Sequence, residues 1–462
     1  MPLFPDNRRK RARLGRWCLA LLSFGLWNAA LHTPGPHPAA ARWAATALFG
    51  AAGWMLLLRR GRTVPVLNYH SVSEDPGWLG IGRRVSISPA AFERQLAYLH
   101  RNGYRTLFIS DVHARLSGRV PLSRRVRHVA LTFDDGYADN WVAAFPLLKR
   151  YRMKATVFVS TDFVSEANPR ADLDDRAAGR AEELDWSGYL SWRELAAMRD
   201  SGLVEIQSHG RTHARVMAMP RLAGFVTPRE PNPWLLWNRR PDSRQRWWIE
   251  LRRDRSLWGH PVFVQRPALT HRACRPAPGA VRHMLAWSRR QGDGFFERRD
   301  CKQALAEEWR RYGARRRLRP VRETEAAYAA RVNAELRESK TILEQRLNIP
   351  VRALCWPENA YNETTERWAR EAGYAVTVAN GHDTLNRVGE DPGRITRAFV
   401  GQRAFGVASP AADQAAFVLT LKMLEGLYIG YPLLLLAAAG RAVAAMKQRR
   451  TPCERDYWSI WG

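Results

Sequence analysis

The chain has 462 residues, with 73 Lys plus Arg against 44 Asp plus Glu, a formal net charge of +29. With 46% hydrophobic and 25% charged residues it is no disordered chain, and it is long enough for one large domain with additions or for two to three ordinary ones. The positive excess calls for a negative partner: nucleic acid, anionic lipid or a phosphorylated molecule. Cys18, Cys274, Cys301, Cys355 and Cys453 form no CxxC pair, so neither a zinc ribbon nor a disulfide framework is indicated.

In chain order, residues 1–62 read as membrane-anchoring segments. A basic start, Arg8 to Arg13, precedes the apolar run Trp17–Leu31. A Pro/Gly/His loop leads to a second run, Trp43–Leu58, closed by Arg59, Arg60 and Arg62. Each run is shorter than the roughly 20 residues a straight spanning helix prefers. A signal anchor with an interfacial segment and a two-helix hairpin both fit.

From Val64 short β-rich runs alternate with helical ones. The expected strands are Val64–Asn68, Val129–Phe133, Ala155–Ser160, Val204–Ser208, Val351–Cys355 and Tyr374–Val378. Helices are expected at Ala90–Arg101, Asn140–Tyr151 and Ser191–Ser201. This alternation argues for an α/β fold with a mostly parallel sheet or barrel. A longer helix is expected from Glu323 to Leu347, with Val332, Leu336, Leu343 and Leu347 on one face.

Residues 215–320 interrupt the alternation, dividing the domain into 63–214 and 321–408. They hold 24 Arg and one Lys against nine acids, with seven Trp, weak strand signals and frequent Pro. We expect a partly irregular insertion. Its Trp residues either pack locally under a solvated surface or form a cap toward anionic substrate or membrane headgroups. The tail 409–462 is apolar again over Ala415–Gly440. Lys422 and Glu425 argue against a deep span, leaving an interfacial helix or one packed on the domain.

Four strand ends carry the chemistry. Asp134 and Asp135 follow Val129–Phe133 and precede Gly136. Paired carboxylates at the end of a buried strand are costly without a cation or hydrogen bonds, although Asp-Asp-Gly is also good turn chemistry. His209 and His213 follow Val204–Ser208 at i,i+4, a spacing that on a helical turn puts both imidazoles on one face, able to share a metal. Two His with one carboxylate make an open metal site. His70 and Trp356-Pro357 end two further strands, and strand C-termini are where α/β sheets and barrels carry active sites.

These residues resemble the polysaccharide deacetylases of carbohydrate esterase family four. Thr132-Phe133-Asp134-Asp135-Gly136 matches the first motif, and Ser208-His209-Gly210-Arg211-Thr212-His213 the second. Pro65-Val66-Leu67-Asn68-Tyr69-His70 is similar to the branch that includes poly-N-acetylglucosamine deacetylases. The third motif departs: Glu358 and Asn359 follow Trp356-Pro357 where an aromatic and a glycine are expected. The resemblance spans roughly 64–214 and 323–400. It implies a distorted (β/α) barrel and a metal-dependent hydrolase removing N-acetyl groups from an amino-sugar glycan or lipid-linked sugar. A sugar deformylase, an O-acetyl esterase and an inactive carbohydrate- or anionic-lipid-binding protein are the alternatives. In the implied site, Asp135, His209 and His213 hold one divalent ion: zinc, with cobalt or nickel as alternatives. Asp134 is the base and His70 the acid. Trp356, Pro357, Tyr361 and Arg397 bind substrate, and Arg397 stands in for the motif arginine near the base.

The expected partners are the glycan or lipid-linked sugar and an anionic-lipid membrane. No nucleic acid is expected, because no reading motif accompanies the charge. Basic clusters at 8–16, 59–62 and 441–450 favour, by the positive-inside rule, a bacterial-type inner membrane with the catalytic domain on the cytoplasmic face. The periplasmic or extracellular face is the alternative.

Overall fold

The computed structural model describes residues 63–426, apart from 80–84, 124, 317–318, 382–384, 389–391 and 403–408. In chain order its main strands are β1 (Val66–Tyr69), β2 (Tyr104–Leu107), β3 (Arg127–Phe133), β4 (Ala155–Val159), β5 (Val204–Ser208), β6 (Arg215–Phe225), β7 (Pro261–Pro267), β8 (Ala353–Cys355), β9 (Val376–Asn380) and β10 (Arg394–Phe399). The main helices are α1 (Pro89–Arg101), α2 (Ile109–Leu116), α3 (Phe145–Tyr151), α4 (Trp192–Asp200), α5 (Pro233–Arg239), α6 (Trp247–Arg253), α7 (Pro278–Arg290), α8 (Cys301–Arg315), α9 (Glu325–Leu347), α10 (Glu363–Glu371) and α11 (Pro410–Leu424).

Seven parallel strands close a ring in the order β1-β10-β9-β8-β5-β4-β3 and back to β1. Closure leaves these strands without a free edge, so every inward residue is enclosed. β2 pairs with the first half of β3, from Tyr104–Arg127 to Leu107–Ala130, and stands outside the ring. The parallel barrel expected from the sequence is present. β2 and β10 were not foreseen, because Arg105, Arg394 and Arg397 break their apolar pattern.

Alternation along each strand sorts side chains into two cores. Val66, Ala130, Phe158, Ala353, Cys355 and Val378 fill the barrel. Leu67, Leu131, Val157, Ile206 and Leu354 face outward against helices. On α9, Val332, Leu336 and Leu343 are fully buried and Leu347 nearly so, as the helical spacing requires. Thr324, whose hydroxyl accepts from the Ala327 N–H, caps this helix one residue inside the expected start.

The insertion is more regular than its sequence suggests. β6 and β7 form an antiparallel hairpin registered from Arg215–Pro267 to Phe225–Pro261. Its strand signal is weak because the middle of β6 faces solvent and needs no apolar side chains. Trp234, Leu236, Trp237, Trp247 and Phe263 form one apolar cluster beneath the hairpin. Met284, Phe295, Phe296 and Leu305 form another.

No helix among the described residues is long and apolar enough to cross a membrane. The runs 17–31 and 43–58 lie outside the described residues, as does the tail after 426. The tail's described part, α11, packs on the domain. The Phe417 ring lies 6.0 Å from that of Tyr98, and Tyr104 Oη donates to Glu425 at 2.7 Å.

Candidate active site

The site grows out of the interior stripe of the barrel at its C-terminal mouth. Asp134, one residue beyond β3, continues the parity of Ala130 and Thr132. Arg397 on β10 continues that of Ile395. Burying these polar groups is tolerable because they satisfy one another. The Arg397 guanidinium donates to both carboxylate oxygens of Asp134, through Nη1 to Oδ1 at 2.7 Å and through Nη2 to Oδ2. Nη1 also donates to Thr132 Oγ1 at 3.0 Å, and Nη2 lies 2.9 Å from Cys355 Sγ. Burial raises the Asp134 pKa, but Arg397, His209 and His70 outweigh it and hold the carboxyl below its ordinary value.

Asp135 points elsewhere because its backbone turns. Its φ of 69° is left-handed, and Gly136 follows with φ of 72°. A non-glycine residue in this region is strained, and here the strain separates two adjacent carboxylates. Asp135 Oδ1 lies 3.4 Å from His209 Nε2 and 3.4 Å from His213 Nε2. The expected helical turn between the histidines is absent. Residues 209–213 form a loop, with Gly210 at φ 78° and His213 at φ 45°. The loop is held from α9, where Glu335 Oε1 accepts from the Arg211 and Thr212 N–H groups at 2.9 and 2.7 Å. Glu335 Oε2 accepts from Thr212 Oγ1 at 2.9 Å.

The donor set fits a divalent ion. His209 Nδ1 lies 3.0 Å from the Cys355 carbonyl, which can only accept, so Nδ1 carries the proton. A neutral His209 then aims the lone pair of Nε2 at the Asp135 carboxylate. Two acceptors facing each other at 3.4 Å require a cation or an extra proton between them. The electrostatics say the same: burial lowers the His209 pKa, but Cys355, Asp134 and Asp135 more than reverse it. One ligand atom each from Asp135, His209 and His213 lies within 4.8 Å of the others. Asp134, His209 and Cys355 form a second such group, but Arg397 already occupies its carboxylate.

His70 faces the same space. Its Nε2 lies 3.6 Å from Asp134 Oδ2, and its buried Nδ1 has no hydrogen-bond partner among the described residues. Burial lowers its pKa against the pull of Asp134 and Asp135. Its backbone is tied down by Asn140, whose side-chain N–H donates to the His70 carbonyl at 2.8 Å. Beside it, buried Asp139 accepts from Ser71 Oγ at 2.6 Å and the Val72 N–H at 3.0 Å.

His70, Asp134, Asp135, His209 and His213 line one cavity of about 300 Å³. Trp356 lines it too, stacked on Tyr361 with ring centroids 6.0 Å apart. Tyr361 itself lies behind Trp356 and not on the cavity wall, and Pro357 lines a neighbouring cavity instead. Arg397 reaches the cavity but is 1% exposed and committed to Asp134. Sequence reasoning missed part of the cavity wall. Trp234, Trp237 and Trp247 of the insertion line the same cavity as Asp135, His209 and His213, with Tyr137, Phe163 and Tyr189. The Trp content of the insertion was the available signal. These three residues pack locally and also line the cavity. Glu358 and Asn359, the departures in the third motif, also line the cavity at φ 54° and 56°. Glu358 binds Arg215 Nε at 3.0 Å, and Asn359 Oδ1 accepts from the Asn380 N–H at 2.7 Å.

Residues 123–231 match the family model for polysaccharide deacetylase. YxkH of Bacillus subtilis, named among polysaccharide deacetylases, is 38% identical over 96 residues, 21% of this chain and 31% of its own. The poly-beta-1,6-N-acetyl-D-glucosamine N-deacetylase of Escherichia coli K12 is 27% identical over 144 residues, 31% of this chain and 20% of its own. The chain thus spans less than a third of the length of either relative. A solved de-N-acetylase from Aggregatibacter actinomycetemcomitans superposes with a TM-score of 0.44 at 19% identity, over 73% of this chain and 95% of that one.

Proposed function

We propose that the chain is a metal-dependent hydrolase that removes N-acetyl groups from an amino-sugar-containing glycan or lipid-linked sugar. One observation carries the reading. Asp135 Oδ1 sits equidistant from two imidazole nitrogens, and a second carboxylate, Asp134, stands ionised beside it. The divalent ion, held by Asp135, His209 and His213 and zinc by preference, would polarise the acyl carbonyl and acidify water.

The chain's own residues supply the rest. Asp134, kept ionised by Arg397, accepts the proton of the attacking water. His70, whose Nε2 lies 3.6 Å from Asp134 Oδ2, gives a proton to the departing amine. The tryptophans of the insertion exclude water and offer flat apolar faces to a sugar ring. We also propose that residues 1–62 attach the chain to a bacterial-type inner membrane with the catalytic domain on the cytoplasmic side. Reporter fusions after Arg62 test this: an active phosphatase fusion there would put the domain outside.

The functional test joins metal analysis to an amine-release assay on N-acetylated glycans and lipid-linked sugars. Stoichiometric divalent metal and metal-dependent amine release are expected. A protein that holds no divalent ion, and gains no activity from added zinc, cobalt or nickel, would overturn the reading.

A further inference from the structure

A second cavity of about 660 Å³ adjoins the first and shares His213 and Glu358 with it. One part of its lining is apolar, with Val216, Met217, Leu235, Val281 and Leu285. The rest is rich in arginine, and the arginines divide in two. Arg244 is bound to Asp162, and Arg331 to Glu323 and to the carbonyls of Ala268 and His271. Arg239, Arg275 and Arg282 are exposed and form no ion pair with any described residue. The carboxylates in the lining, Glu335 and Glu358, are taken by the histidine loop and by Arg215. Three arginines without an ion pair to any described residue therefore line a large cavity; the carboxylate that acts on Arg275, Glu323, is bound to Arg331.

Like charges around one partly apolar cavity repel one another, and a bound anion relieves that repulsion. Guanidinium groups match phosphate oxygens in geometry as well as in charge. A simple anion would leave the apolar wall wetted, and a neutral glycan would leave the arginines unpaired. An amphiphile with a phosphate next to an apolar chain satisfies both parts. The shared His213 and Glu358 set this cavity next to the metal ligands, so the phosphate end of one molecule can lie here while its sugar lies in the first cavity.

We propose that the second cavity binds the phosphate and the first part of the apolar chain of a lipid-phosphate-linked N-acetylamino sugar. This rests on the deacetylase reading of the first cavity and narrows its substrate. It also gives the insertion's arginines a role beyond membrane adhesion, because Arg239, Arg275 and Arg282 would contact the substrate directly.

The test uses the full chain in neutral detergent, so that bulk anionic lipid is absent. Three probes are compared by equilibrium binding: an N-acetylglucosaminyl phosphate carrying a short isoprenoid chain, the same sugar phosphate without the chain, and a neutral N-acetylglucosamine oligomer. The chain-bearing phosphate should bind about tenfold or more tightly than either other probe, in line with charge-assisted contacts plus apolar burial. The triple variant Arg239→Gln, Arg275→Gln, Arg282→Gln should lose most of that advantage while keeping its metal content and melting temperature. Equal binding of the two phosphates would overturn the lipid assignment. A triple variant that keeps the full advantage would overturn the site. Because the readout is binding, a failure of the deacetylase reading appears separately, as absent amine release from every probe.

Discussion

Arg397 grips both carboxylate oxygens of Asp134 inside the barrel mouth, where their side chains are 1% and 4% exposed. The two residues are 263 positions apart in sequence, and the strands that place them, β3 and β10, are joined through β1, with which each pairs. A buried pair of this kind depends on both partners. Arg397→Met leaves a buried carboxylate unpaired and should cost about 3–5 kcal/mol of stability, the usual loss on breaking such a pair. The double variant Asp134→Asn with Arg397→Met should recover much of it. Thermal melts of the two singles and the double measure the coupling, and additive effects would contradict it.

Metal binding and proton transfer should separate by mutation. His209→Ala and His213→Ala should each remove most bound metal and activity and leave the fold intact. Asp134→Asn should retain metal and lose turnover, because an amide cannot accept the proton. His70→Ala should also keep metal and lower turnover. Metal content and single-turnover amine release, measured on all four variants, distinguish these roles. Near wild-type turnover in Asp134→Asn would remove Asp134 from the role of base.

Glu335 contacts none of the proposed reaction groups, but it accepts three hydrogen bonds from the loop that carries His213. Glu335→Ala should weaken metal affinity about 10–100-fold, as losses behind metal ligands typically do. Glu335→Gln, which keeps an acceptor oxygen, should lose less. Titration with a competing chelator reads the difference. An unchanged affinity would make the contact purely structural.

Asp139 gives a pH dependence of stability. Burial pushes its carboxyl up to about 7, against hydrogen bonds from Ser71, Val72 and Asn140. With the folded pKa above the unfolded one, the folded state binds the proton more tightly. The contribution is therefore full below the unfolded value, near 4, and is lost as pH rises toward 7. Asp139→Asn should flatten this part of the stability profile, measured by denaturant melts from pH 4 to 8. A variant with the same slope as the parent would exclude Asp139 as its source.

Much of this protein was written locally. The strands β3 and β4 are legible from the largely apolar runs Val129–Phe133 and Ala155–Val159, because parallel strands buried on both faces favour apolar residues, and β5 from the alternation of Val204 and Ile206 with Glu205 and Gln207. The face of α9 was legible from Val332, Leu336, Leu343 and Leu347, since helical periodicity is a property of neighbouring residues. Asp134, Asp135, His209 and His213 stood out because each pair lies close in sequence at a strand end. Tertiary structure decided the rest. No local pattern reports that Arg397 meets Asp134, because ring closure through β1 brings them together. The left-handed turn at Asp135 parts two adjacent carboxylates, and a loop held by Glu335, not a helical turn, aligns the two histidines. The tryptophans of the insertion do not announce a cavity wall in sequence, since the segment that carries them is rich in Arg and broken by Pro. Only the folding of the hairpin over the barrel mouth turns Trp234, Trp237 and Trp247 into a wall of the cavity, because burial depends on what the chain packs against and not on the residues beside it.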